Sequence, residues 1–441
     1  MLITTLCLSL TTGLLLITEA QSTPSATANA GLDIVDKYII SLKRGVDLNK
    51  HINRVHFQQQ RLGKERNQTT FAGVTRKLSI GNFHVYTGHF HTSVVKQLKD
   101  DHDIESIEAD SIWHEEGSGE TPCGDSCATG SNNEVIDHDS SDHRNVQDSE
   151  LQKRGLVYQT CANFNLRLIS HRGADPKWTY WYDQSSGAGT WAYVVDGGVN
   201  SRHSDFGTRA RLGYNAWGLG TTDQDTTGHG THTAAIIGGK KNGVAKKCNI
   251  IASKVTKDGQ TTTEILLDGY KWAASDVINR HRQAKAVINV SVYSRSVSEA
   301  FAKMVTAAYN RGVVTVVAAG NGGEDARYTS PASARDAITV GATDRRRART
   351  ADSNFGPGVD IWAPGQDICS AALQGGRATS KRSGTSQAAA HVSGLIVYMK
   401  GFQDLGDARS TRLRLNSLAT MGVVGNPKGG KNLFAYNGSG K

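Results

Sequence analysis

Ser383-Gly384-Thr385-Ser386-Gln387-Ala388-Ala389-Ala390-His391-Val392-Ser393-Gly394 is the stretch on which the reading of this chain turns. A serine enters an apolar, Ala-rich run, 386–400, that predicts a helix closed by Lys400-Gly401, a cation followed by a glycine stop. The first turn of a helix leaves N–H groups unpaired, and the macrodipole makes that end electropositive. A hydroxyl placed there attacks beside ready-made donors for a developing oxyanion. An ordinary Ser N-cap is the commoner role of such a serine, so the nucleophile reading needs partners.

The partners lie upstream. Trp191 to Val195 reads as a buried strand ending in Asp196-Gly197-Gly198. Gly228-His229-Gly230-Thr231-His232 reads as a loop entering a short helix with His229 at its start. His229 and His232 stand three apart with no acidic ligand nearby, which argues against zinc. Val313 to Ala319 reads as another buried strand, ending in Gly320-Asn321-Gly322. Each motif alone fits a turn or a surface loop.

Taken together, in the order Asp, His, Asn, Ser, they resemble the subtilisin-like serine proteases, and within them the fungal proteinase K-like branch. No G-x-S-x-G elbow occurs, and the order differs from those of chymotrypsin and the α/β-hydrolases, which argues against a lipase or esterase. Ser330-Pro331-Ala332-Ser333, Ser353-Asn354-Phe355-Gly356 and Val359 to Gly365 extend the resemblance over most of the chain. It implies an α/β fold: a mostly parallel sheet flanked by helices. It implies Asp196 as the group that orients the imidazole, His229 as general base and acid, and Ser386 as nucleophile. The Asn321 amide joins the Ser386 N–H around the oxyanion. Such a triad makes an acyl-enzyme without a cofactor.

The same resemblance assigns Ser291, Val292 and Tyr293 to the substrate edge, where an extended peptide adds as a strand. It places Tyr293 where the family has glycine, implying a narrower pocket for the residue before the cut. It aligns Lys254 to Gly259 loosely with the opposite edge. It aligns Asp360 with a calcium-binding acid whose partners are the carbonyls of Arg335 and Ala337. Other departures are Gly197 for Ser or Thr, Gln387 for Met and Ala390 for Pro. They motivate an alternative, a catalytically impaired protease fold that still binds peptides.

Around this core, 441 residues suffice for more than one domain. Residues 1–20 hold an apolar run and a small-x-small end, which reads as a signal peptide and implies a secreted, extracellular protein. No later stretch is apolar for long enough to span a bilayer. Residues 36–114 pattern as β-α-β-β-α-β, a small ferredoxin-like α+β domain. It has a helix from about Leu48 to Leu62, Thr92 capping a second, and Ile104 to Trp113 as the last strand. Beside a protease this resembles an inhibitory propeptide, and so a zymogen. Residues 115–154 are acidic and unpatterned, a disordered linker ending in the dibasic pair Lys153-Arg154, which resembles a processing site. Cleavage near Trp113 or Glu116 is the family's usual route. Residues 155–441 form the catalytic domain, with capping boxes at 261–264 and 296–299.

Charge is lopsided. The formal net charge is +9, yet residues 100–150 hold 16 acids and one base, which leaves 25 acids and 49 bases elsewhere. The linker is therefore expected to dock on the basic protease or to serve as a solvated tether. Without any aromatic-basic module the charge does not indicate nucleic acid, and a monomer acting on protein or peptide substrates is expected. A secretory route permits disulfides; Cys123 and Cys127 are close enough to pair locally, while Cys161, Cys248 and Cys369 leave an odd thiol. Sequons begin at Asn67, Asn289 and Asn437; Asn289 sits in an expected buried strand, leaving Asn67 and Asn437 as glycosylation candidates.

Overall fold

The computed structural model describes residues 32–66, 71–115, 117, 120–123, 155–173, 177–218, 221–374 and 376–441. The expected signal peptide, Lys153-Arg154, Asn67 and most of the acidic linker lie outside them. Among the described residues, no helix is long and apolar enough to cross a membrane.

Short runs of small and β-branched residues, buried on both faces, build the central sheet, as a parallel sheet covered by helices requires. Its nine strands run in the order Ala210–Asn215, Asn249–Lys254, Trp191–Asp196, Ala286–Val290, Thr315–Ala318, Ile338–Thr343, Ile361–Pro364, Leu433–Phe434 and Thr420–Met421. All neighbours pair in parallel except the last two strands. Strand order reverses around Trp191–Asp196: the next two strands add on one side of it and the later ones on the other. A crevice at the C-terminal strand ends follows from that reversal. One face carries the helices His229–Gly238 and Thr385–Phe402, and the other carries Thr263–Asn279 and Glu299–Tyr309.

The helix after Ser386 continues past Lys400-Gly401 to Phe402. Lys400 is buried and donates to the carbonyls of Gln283 and Ala286 at 2.6 and 3.2 Å, so it fastens the helix to a neighbouring turn instead of ending it.

Residues Lys37 to Ala109 fold as expected, β-α-β-β-α-β, with an antiparallel four-stranded sheet and helices Leu48–Arg66 and Thr92–Lys99. The second helix is capped by His91, whose Nδ1 accepts from the Ser93 N–H at 3.1 Å; Thr92 is its first residue. The final strand stops at Ala109. After a break at Asp110-Ser111 the chain leaves this sheet as a separate strand, Ile112–Glu115.

This small domain sits on the two helices Thr263–Asn279 and Glu299–Tyr309 and supplies what their N-termini lack. The Glu108 carboxylate accepts from the Ser298 hydroxyl at 2.5 Å and from the Glu299 N–H at 2.8 Å. Asp110 accepts from the Glu264 N–H at 3.2 Å. Acids at helix N-termini are stabilised by the unpaired donors and the dipole. Burial still pushes the Glu108 carboxyl above its usual range, against those hydrogen bonds. The intrinsic caps are Thr262 and Ser298, each one or two residues inside the expected boxes. Arg76 pairs with Asp268 and Glu264, and Ile39, Leu78, Ile80, Val85 and Trp113 join the apolar layer over these helices.

Candidate active site

Asp196 ends its strand at the crevice, and His229 begins its helix. The two elements meet because Gly198 and Gly230 bring backbone against backbone: a Cβ on Gly230 would lie 2.0 Å from the Gly198 carbonyl oxygen. Asp196 Oδ1 and Oδ2 lie 2.9 and 3.1 Å from His229 Nδ1, and Oδ1 also accepts from the Gly197 N–H at 2.7 Å. That bond fixes which imidazole nitrogen faces the crevice. Burial disfavours the charged ring, but the Asp196 carboxylate and then Glu115 outweigh it, and the His229 pKa is pushed up to about 9.

Ser386 is the second residue of its helix, behind Gly384 at φ 149°. Its hydroxyl donates to the Ser291 carbonyl at 3.2 Å. His229 Nε2 is buried and has no hydrogen-bond partner among the described residues. Asn321 Oδ1 accepts from the Thr385 N–H at 2.8 Å, which turns the amide NH₂ end away from that bond. Thr385 in turn accepts from the Gly320 N–H at 3.0 Å, tying the strand end to the helix start.

The chain's own segment occupies the crevice. Ile112–Glu115 is the middle strand of three, antiparallel to Gln260–Thr262 on one side and to Val292–Tyr293 on the other. The Glu115 N–H donates to the Gly259 carbonyl at 2.8 Å. The second edge therefore begins at Gly259 and runs through Thr262, beyond the Lys254 to Gly259 stretch expected for it. The Trp113 side chain is fully buried, with its N–H on Thr263 Oγ1 at 3.1 Å and its ring 5.5 Å from Phe301. Tyr293 does turn inward: its ring covers Gly320 and its hydroxyl donates to Glu324 at 2.5 Å. Val292 is buried, and Ser291 Oγ accepts from the Asn289 amide at 2.8 Å.

Residues 120–123 are held differently. Glu120 pairs with Arg382 at 2.7 Å, Thr121–Pro122 pairs antiparallel with Thr379–Arg382, and Cys123 is disulfide-bonded to Cys369. The local Cys123–Cys127 pairing is thereby corrected: Cys369 lies 246 residues away in sequence, and the strand pairing brings the two Cα atoms to 5.9 Å. Cys161 is also disulfide-bonded. Cys248 is a buried free thiol whose pKa burial pushes up to about 12, so it is the odd one.

Two further expectations are corrected. Asp360, expected to hold calcium with the Arg335 and Ala337 carbonyls, meets cationic side chains instead. Lys431 Nζ lies 2.7 Å from its Oδ1 and Arg412 3.3 Å from its Oδ2. The same Arg412 guanidinium donates to the carbonyls of Ala337 and Arg335 at 2.6 and 3.2 Å. The donor set does not fit a metal, because a protein cation already satisfies each oxygen. Asn437 is fully buried, and its amide nitrogen donates to the Trp181 carbonyl at 2.7 Å, so it cannot carry a glycan in the fold. Asn289 is likewise buried.

His232 is structural. Its Nε2 lies 3.0 Å from the Ile368 carbonyl, and burial lowers its pKa to about 3. Sequence reading missed Asp225, whose carboxylate accepts from the N–H groups of Gly228 and Thr231 at 2.9 and 2.8 Å and so shapes the loop before His229. The signal was present: Asp followed by Thr-Thr-Gly is an Asx-turn pattern.

Comparison with known proteins agrees with this geometry. The model of the subtilase family matches residues 187–432, and that of peptidase inhibitor I9 matches residues 37–115. An alkaline proteinase of Hapsidospora chrysogena is 40% identical over 409 residues, 92% of this chain and 93% of that protein. Alkaline protease 1 of Aspergillus clavatus is 38% identical over 432 residues, 96% of each chain. A crystal structure of a cold adapted subtilisin-like serine proteinase matches with a TM-score of 0.57 at 34% identity, over 63% of this chain and 98% of that one. The chain belongs to the subtilase family of serine endopeptidases and carries its own I9 inhibitor domain ahead of the protease.

Proposed function

We propose that Ser386 is the nucleophile, His229 the base that takes its proton and later protonates the leaving amine, and Asp196 the group that stabilises the imidazolium. Asn321 and the Ser386 N–H hold the tetrahedral oxyanion. One such side-chain donor is worth on the order of 10²–10³ in rate. Substrate enters as an extended strand between Gln260–Thr262 and Val292–Tyr293, with Ser291 to Tyr293 as its edge and the Tyr293 ring narrowing the pocket before the cut. The chemistry needs no cofactor. Secretion as a monomeric zymogen, residues 36–114 acting as inhibitor and residues 155–441 as the catalytic domain, with Lys153-Arg154 as a second processing point, completes the reading.

The observation that carries it is the position of Ile112–Glu115. Glu115 pairs with Val292, and the Ser386 hydroxyl rests on the carbonyl of Ser291, the next residue along that edge. By that register the first cut falls between Glu116 and Gly117. The chain is thus its own first substrate.

Intact mass of the expressed protein, with and without a fluorophosphonate probe, tests this. Wild type separates at Glu116-Gly117 and takes one probe. Ser386→Ala does neither, its processing falling on the order of 10⁶-fold. A wild type that stays unlabelled after added trypsin removes the inhibitor domain is the peptide-binding alternative.

A further inference from the structure

Beside Asp196 and His229 the threaded segment presents a carboxylate, and the crevice is built to receive it. The Glu115 carboxylate accepts from the Thr256 hydroxyl at Oε1 and from the Thr227 hydroxyl at Oε2, the latter at 2.5 Å. Thr256 is buried. Space for the carboxylate exists because residue 197 is glycine: a Cβ there would lie 2.5 Å from Glu115 Oε1 and 3.0 Å from Thr256 Oγ1. Gly197 has no left-handed backbone angle, so a turn does not demand this glycine.

Two other acids line the place, yet their oxygens are already bonded. Asp196 is taken by His229 and the Gly197 N–H. Asp225 is taken by the N–H groups of Gly228 and Thr231 and by the Thr231 hydroxyl. Positive charge lies behind them. Lys254 is buried, with its ammonium on the Gly197 and Gln224 carbonyls at 2.6 and 3.0 Å. Burial lowers its pKa, and the carboxylates of Asp225, Glu115 and Asp196 oppose that. The Thr227 hydroxyl also lies 3.5 Å from Asp225 Oδ1, so the donor that depends on an incoming side chain is the Thr256 hydroxyl, which Glu115 accepts from. An apolar side chain would leave the buried Thr256 hydroxyl unpaired, at a cost larger than the gain of an average hydrogen bond.

We propose that this subsite recognises an acidic side chain, so that the protease prefers glutamate at the second residue before the bond it cuts. The proposal rests on the assignment of Ser386 and His229 made above, and it extends that assignment from reaction to substrate class: peptides and proteins with a glutamate one residue before the cleaved position.

The test uses processed enzyme and a peptide series, Ile-Trp-His-Xaa-Glu-Gly-Ser, with Xaa as Glu, Gln, Ala or Leu. It is run at a pH above the range in which His229 titrates. We expect kcat/KM for Glu to exceed that for Leu by about tenfold or more, chiefly through KM. The Glu-to-Ala ratio falls toward one in Gly197→Ala and, independently, in Thr256→Val. Binding of the same fluorescent peptides to the Ser386→Ala chain, its inhibitor domain removed by trypsin, is the second readout. Equal or better use of Leu, or a ratio untouched by both variants, overturns the proposal. If wild type cleaves none of the peptides while Ser386→Ala still binds the Glu peptide best, the triad assignment fails and the acidic subsite stands.

Discussion

Residues 112–115 and residues 120–123 lie at the two ends of one crevice and are held by different means. The first group is held by shape: backbone pairing on both edges, the Trp113 ring buried to its N–H, and the Glu115 carboxylate between two hydroxyls. The second group is paired on one edge only and has its apolar contacts replaced by an ion pair and a disulfide. Contacts of the first kind are lost when a product diffuses away. A covalent bond is not. The proposed cut therefore frees the inhibitor domain but leaves the chain that follows it attached to the protease.

The largest effect expected from this difference is all-or-none. After processing, and after a second cut at Lys153-Arg154, the fragment from Gly117 to Arg154 stays in the intact mass until reductant is added, and then departs whole. The double variant Cys123→Ser, Cys161→Ser loses it without reductant, since Cys161 is disulfide-bonded as well. A wild-type mass that lacks the fragment under non-reducing conditions breaks the comparison.

Next in size is the hold on the acyl side. Removing a fully buried Trp costs about 3–5 kcal/mol, so Trp113→Ala weakens inhibition by the free propeptide by more than about 100-fold in Ki. The same change leaves the fragment beyond the cut attached. A loss below about fivefold would mean that pairing alone, without the side chain, holds the strand.

A pH effect follows from Glu115. While it sits beside His229 the ring holds its proton up to about pH 9. A general base must be neutral, and the neutral fraction grows about tenfold per pH unit below the pKa. Single-turnover processing should therefore rise with pH and level off near 9. The linkage of Glu115's own share has the same sign: its carboxylate favours the charged ring, so this attraction tightens the propeptide complex where the ring is charged and is lost as pH rises through about 9. Glu115→Gln removes one of the two carboxylates that raise the pKa, leaving Asp196 against burial and Arg382, so its profile shifts to lower pH. Identical profiles for both proteins would remove Glu115 from the account.

What the sequence made legible follows the range of the interactions. Asp196, His229, Asn321 and Ser386 each sit at a strand end or helix start that local pattern marks, and the β-α-β-β-α-β alternation of the inhibitor domain is written in its own residues. The helix caps fall one to two residues from the expected positions because Thr261, Thr262 and Thr263, or Ser296 and Ser298, are equivalent as letters; packing selects among them. Glu108 completing the cap at Ser298 was invisible, since it comes from a different domain. The Cys123–Cys369 bond and the burial of Asn437 depend on which strands meet far along the chain, and no spacing rule reports that.

Asp360 shows the same limit and yields the smallest expected effect, far from the crevice. The family resemblance makes an acid and two carbonyls half of a calcium site; the residues that answer them, Arg412 and Lys431, lie 52 and 71 positions from Asp360. A guanidinium offers several donors in a fixed plane, so one side chain reaches both carbonyls and the carboxylate together. Truncating it strips the Ala337 and Arg335 carbonyls of these donors and leaves Asp360 with the half-exposed Lys431, a loss of about 2 kcal/mol and about 4–8 °C in Tm. Chelator should leave the wild-type Tm where it is, since the charge at Asp360 is balanced from within the chain. Arg412→Ala should lower it, and inhibition by the propeptide should be unaltered, because the inhibitor domain meets the opposite side of the sheet. A wild-type Tm that drops with chelator while Arg412→Ala does not would return the carboxylate to a metal.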